Sequence, residues 1–123
     1  MRPSWDDYFV AIAKVVASRS TCPRAVVGAI LVRNNRILAT GYNGSPAGEE
    51  HCMDVECNMV EGHCERTIHA ETNAIGYAAR VGISIEGATL YVYDSNGRKE
   101  PCHDCMKVIK AAGVGSIIIK GDE

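Results

Sequence analysis

Apolar side chains first recur at helical spacing near the start of the chain, at Trp5, Tyr8, Phe9, Ile12, Val15 and Val16. That period predicts an opening helix of about 14 residues whose aromatic stripe joins the core. Ser4 and Asp7 bracket its first turn as a capping box, in which the Ser4 hydroxyl takes an N-terminal amide while Asp7 reaches back. From Ala25 to Val32 the pattern becomes an unbroken apolar, β-branched run, which predicts a strand buried on both faces. Arg33-Asn34-Asn35-Arg36 reads as a turn and Ile37 to Tyr42 as the second arm of a hairpin.

Periodicity then vanishes from Asn43 to Glu65, among Gly, Pro and Asn. A structureless stretch of more than about 20 residues is rare in a small domain unless it is functional or tied down. Three of the six cysteines fall in it, at positions 52, 57 and 64. Beyond it a helix is expected from about Ile68 to Val81, ended by Gly82. Thr89 to Tyr93 reads as a third strand, Cys102 to Ala112 as a third helix stopped by Gly113, and Ser116 to Lys120 as a fourth strand. The last strand, helix and strand imply a parallel crossover, so the expected class is α/β with a mixed sheet. No internal repeat or low-complexity segment interrupts the pattern.

Length and charge narrow the options. A chain of 123 residues suits one compact domain over positions 1–123. The formal net charge of -2 argues against a nucleic-acid partner, whose phosphates call for basic neutralisation, and leaves free nucleotides open. Met1 to Asp7 contain no apolar signal-peptide core. Ala25 to Val32 is too short to span a bilayer. The expected setting is the cytoplasm, with no membrane partner. Six cysteines and four histidines are a heavy load for this length. In a secreted chain they would suggest disulfides, but without a secretion signal metal binding or catalysis is the better reading.

The chemistry concentrates in His69-Ala70-Glu71 and Pro101-Cys102-His103-Asp104-Cys105. One imidazole and two thiolates, His69, Cys102 and Cys105, fit a catalytic zinc whose fourth position stays open for water. The Cys-x-x-Cys spacing puts both sulfurs at a helix start, where free amides favour thiolate. Glu71, two residues from His69, is expected to shuttle protons from water to a ring nitrogen and then to a departing amine. Zinc brings the pKa of that water towards neutrality. A lone Cys-x-x-Cys would fit a redox pair equally well. Joined to His-x-Glu upstream it becomes the signature of zinc deaminases. A purely structural zinc would normally fill all four positions with Cys or His.

Further segments extend the match: Ser20-Thr21-Cys22-Pro23-Arg24, Val27-Gly28-Ala29, Gly41 to Gly48, His51-Cys52, Cys57, Gly62-His63-Cys64, Arg66 to Glu71 and Asn73-Ala74-Ile75. Over nearly its whole length the sequence resembles the deoxycytidylate (dCMP) deaminases of the cytidine deaminase superfamily, in their zinc-rich bacterial and phage-type branch. The resemblance implies a three-layer α/β/α fold with a mixed central sheet of about four to five strands. It implies hydrolysis of dCMP to dUMP and ammonia, feeding dTMP synthesis. It also implies a homohexamer, with dCTP as activator and dTTP as inhibitor. Nucleotide contacts are implied at Gly41, Tyr42, Asn43, Gly44 and Ala70. Arg24 opens the first strand, where it can clamp a 5′-phosphate or stand as an ordinary surface arginine.

Members of that branch that keep Cys22, Cys52, Cys57 and Cys64 look able to bind a second, structural zinc. It would staple the long loop to the end of the first helix. His51 or His63 can replace one sulfur, His63 can instead line the substrate pocket, and free buried cysteines are the plain alternative. Two features depart from the family pattern. The loop from Tyr93 to Glu100 is longer, and the chain stops soon after the fourth strand, which would leave a sheet edge exposed. Competing readings are deamination of cytidine or of an adenosine in tRNA, and a zinc-stapled module that binds nucleotides without turnover. Such a module has no need of Glu71.

Overall fold

The structure is a computed structural model that describes residues 2–21, 25–44, 59–60, 63–64, 69–97, 101 and 103–122. The chain begins with helix α1 (Trp5–Ala17) and the hairpin strands β1 (Val27–Arg33) and β2 (Arg36–Tyr42). A small pair, β3 (Met59–Val60) and β4 (His63–Cys64), precedes helix α2 (Ala70–Val81). Strand β5 (Thr89–Asp94), helix α3 (His103–Ala111) and strand β6 (Ser116–Lys120) complete the order. The main sheet runs β2-β1-β5-β6, antiparallel except for the parallel pair β5 and β6. It is the mixed sheet with a final crossover that the hydrophobic pattern predicts.

Alternation along the strands sends side chains to two cores. Val27, Ala29 and Leu31 of β1 join Leu90 and Val92 of β5 under Ala70, Ala74 and Ala78 of α2 and Ile109 of α3. On the opposite face Ile30, Val32 and Tyr91 meet Phe9, and Tyr93 meets Ala13 and Ala17. Every residue of β1 from Val27 to Val32 is buried, as expected for a strand covered on both sides. The result is three layers: α1, the sheet, then α2 with α3.

The start of α1 is capped as predicted on one side: Ser4 Oγ accepts from the Asp7 amide at 3.1 Å. The Asp7 carboxylate meets Lys120 Nζ at 3.2 Å. The aromatic stripe needs correction. Phe9 is buried, yet Trp5 is 56% exposed, Tyr8 44% and Val15 69%. The cause is how closely the helix lies on the sheet. Its contact strip is Phe9, Ala13 and Ala17, and a Cβ added to Gly28 would fall 2.1 Å from the Ala13 carbonyl oxygen. Small residues set that approach, and the larger ones turn aside. Trp5 stacks on the outer face of Phe9 with ring centroids 5.7 Å apart.

Other differences are local. Asn34 and Asn35 both take positive φ, 53° and 59°, which gives the hairpin a turn matched to strand twist. Strand β5 runs through Asp94, and Ser95 and Val26 continue its pairing through two 3.0 Å hydrogen bonds. The loop expected from Tyr93 therefore begins later, after Asp94. The stretch expected to lack structure contains the β3–β4 pair, whose strands of two residues are too short to show a period. Among the described residues no helix is long and apolar enough to cross a membrane.

Candidate active site

Helix α2 begins at Ala70, with His69 as its N-cap at φ -65° and ψ 150°. Its backbone carbonyl takes the first helical bond, from Asn73 N at 2.9 Å. Serine, threonine, aspartate and asparagine are the usual choices here because their oxygens satisfy a free amide. The His69 side chain makes no such capping bond. Its Nδ1 instead lies 3.0 Å from Cys105 Sγ, in the first turn of α3. Cys105 is 5% exposed and belongs to the core cluster with Ala70, Ala74 and Ile109. Two helix starts thus bring an imidazole and a thiol together beside the buried cluster that α2 and α3 form with the sheet.

Glu71 lies in the first turn of α2 and is fully buried. A helix start is where a carboxylate gains from the backbone dipoles. Thr72 follows, its Oγ1 3.7 Å from the same Cys105 sulfur. The sequence reading gave Thr72 no role, although its position three residues after His69 places both on one helix face. Asn73 donates from Nδ2 to the Tyr42 carbonyl at 2.7 Å and ties the end of β2 to α2.

Gly41 has a packing use that the sequence pattern did not announce. A Cβ there would lie 2.4 Å from Ala74 N and 2.5 Å from Ala70 O, so its bare backbone lets the first turn of α2 settle on β2. Asn43 is 6% exposed. Its Oδ1 accepts from Val27 N at 3.0 Å and its Nδ2 donates to Ala25 O at 2.7 Å. Its carbonyl accepts from Thr21 N at 3.3 Å and from Ser20 Oγ at 3.0 Å. Tyr42 is partly buried and Gly44 buried beside it.

Of the expected metal ligands the structure brings His69 and Cys105 together, while Ala70 and Glu71 follow His69 in the buried first turn of α2. Cys102, Cys22, Cys52, Cys57 and Arg24 lie outside the described residues, while the backbones of His63 and Cys64 form β4. Among the described residues, no group of three His, Cys, Asp or Glu is gathered to hold a metal. The two donors in place nevertheless suit zinc. They are one imidazole nitrogen and one sulfur from two helix starts, both donor types that zinc binds, at about 2.0–2.3 Å.

Glu71, fully buried, follows by two residues the histidine that meets Cys105, with both helix starts set against a mixed sheet; this is the residue order of the zinc deaminases. Residues 3–120 match the cytidine and deoxycytidylate deaminase zinc-binding region, and the chain belongs to that family. It is 38% identical over 128 residues to the deoxycytidylate deaminase of Mycobacterium phage D29, covering 95% of this chain and 94% of that one. It is 46% identical over 121 residues to ComE operon protein 2 of Bacillus subtilis, covering 98% of this chain but 61% of that longer protein. The dCMP deaminase of cyanophage S-TIM5, solved in complex with dCMP and dUMP, superposes with a TM-score of 0.79 at 34% identity. That match covers 100% of this chain and 85% of the phage enzyme. Cytidine deaminase from Burkholderia pseudomallei shares the fold at 20% identity, with a TM-score of 0.66 over 95% of this chain and 85% of its own.

Proposed function

We propose that the chain hydrolyses dCMP to dUMP and ammonia. The observation that carries this reading is the meeting of His69 Nδ1 and Cys105 Sγ at 3.0 Å with Glu71 fully buried two residues from the histidine. The names of the phage relatives favour dCMP over other bases. His69, Cys105 and Cys102 are the residues to hold zinc, which when bound makes water acidic enough to ionise near neutral pH. Glu71 accepts the proton of the attacking water and passes it to ring N3. It then takes the proton of the new C4 hydroxyl and delivers it to the amine as the C4–N bond breaks and the C4 carbonyl forms, so water and dCMP are balanced by dUMP and ammonia.

Arg24 is assigned to the 5′-phosphate. Gly41, Tyr42, Asn43, Gly44 and Ala70 are assigned to the nucleotide-facing wall, Gly41 by admitting α2 and Asn43 from an amide that also holds Val27 and Ala25. Cys22, Cys52, Cys57 and Cys64, with His63 as an alternate, are assigned to a second, structural zinc. A homohexamer in the cytoplasm, with dCTP and dTTP as opposing effectors, completes the proposal. Ammonia release measured with dCMP, deoxycytidine, CMP and guanine tests it. The expected order puts dCMP first, and a better rate on any of the others overturns the substrate.

A further inference from the structure

Thr72 shares a helix face with His69, and its hydroxyl lies 3.7 Å from Cys105 Sγ. It is partly buried, and this is the one hydrogen bond of its hydroxyl among the described residues. Cys105 is 5% exposed and belongs to the buried apolar cluster that includes Ala70, Ala74 and Ile109. Apolar walls of this kind strengthen any single polar contact. A cysteine that ligates a metal is a thiolate and has no proton to give. The contact then has one direction, with Thr72 donating to the sulfur.

We propose that Thr72 is a positioning residue that holds the Cys105 thiolate against His69 in the orientation from which the pair grips zinc. The proposal rests on the deaminase reading, in which His69 and Cys105 share one ion. Thr72 does not touch the reacting atoms. It acts through the sulfur, as outer partners of metal ligands do, whose loss typically weakens metal binding by about 10–100-fold.

Thr72→Val keeps the branched shape and deletes the hydroxyl, while Thr72→Ser keeps the hydroxyl and deletes the methyl. Two readings apply to each protein: competition for its zinc by a chelator, and the sulfur-to-metal charge-transfer band after cobalt replaces zinc. Thr72→Val is expected to hold zinc about tenfold more weakly. Its band should move to longer wavelength, because a sulfur without a donor gives up an electron more easily. Thr72→Ser is expected to restore both. Unchanged zinc retention and an unchanged band in Thr72→Val overturn the proposal, as does Thr72→Ser behaving like Thr72→Val, which would assign the effect to methyl packing. A native protein that shows these metal effects but releases no ammonia from dCMP refutes the substrate and leaves Thr72 its role. One from which Cys105→Ser removes no zinc refutes both.

Discussion

Glu71 occupies a position no packing argument would give to a carboxylate: fully buried, beside alanines, at a helix start. Glu71→Gln keeps its size and removes its ability to carry a proton. Turnover is expected to fall by about 10²–10⁴-fold. Zinc content and melting temperature should hold, since a neutral amide is easier to bury than a charge. Retained turnover in a well-folded, zinc-loaded variant would refute the proton-shuttle role. On the other side of the sheet the Tyr91 hydroxyl donates to Asp6 at 2.6 Å. Burial, then that bond and the carboxylate's charge, push its pKa up to about 12. An acid whose folded pKa lies above its unfolded value of about 10 supports the fold fully below that value. The support is lost as pH rises through the folded one. Stability should therefore decline between about pH 10 and 12, and less steeply in Tyr91→Phe; equal slopes in alkaline urea titrations would contradict this. Tyr93, raised first by its bond to Asp122, and Lys14, raised first by its bond to the same carboxylate, add to the decline.

At the scale of elements, two glycines set how the helices lie on the sheet. Gly28 admits α1 and Gly41 admits α2, each with helix backbone where a Cβ would be. Alanine at either position should cost about 1–3 kcal/mol by overpacking. The two should differ in function. Gly41→Ala displaces the turn that carries His69 and Glu71, whereas Gly28→Ala presses on α1, across the sheet. Turnover relative to folded protein is expected to drop in the first and hold in the second, and equal losses would break the argument. Such approaches are hard to read from sequence. The runs at Val27–Val32 and Thr89–Tyr93, the Asn34-Asn35 turn and the Gly82 stop foretold the sheet and the α2 boundary, because period and turn chemistry are local. The exposure of Trp5 and Tyr8 was not legible, since it depends on α1 seating by its alanines. At the site, His69, Glu71 and Cys105 were marked by residue type and spacing. Thr72 carried no such mark, and Asn73 stood only as part of the Asn73-Ala74-Ile75 match with no role of its own, because their partners, Cys105 and the Tyr42 carbonyl, are brought near only by the fold.

For the molecule as a whole, the metal inventory is the most direct measurement. Metal analysis should give about two zinc ions per chain, and about one in Cys57→Ser, with the catalytic ion retained; a count near one in the native protein would remove the structural site. The net charge of -2 predicts little retention on DNA even at low salt. Asn43 has one more consequence at this scale. It holds Thr21 by its carbonyl and Ala25 by its side-chain amide, at the two ends of the segment that carries Cys22 and Arg24. One residue therefore fastens the neighbourhood of a proposed metal ligand and of a proposed phosphate clamp. A mutant allele at this codon keeps the carbonyl that Thr21 uses and loses the side-chain bonds to Val27 and Ala25, so it should loosen the Arg24 end of the segment and lower substrate affinity before zinc content. It would imitate a damaged ligand contact even where the lost bonds were those to its own backbone neighbours.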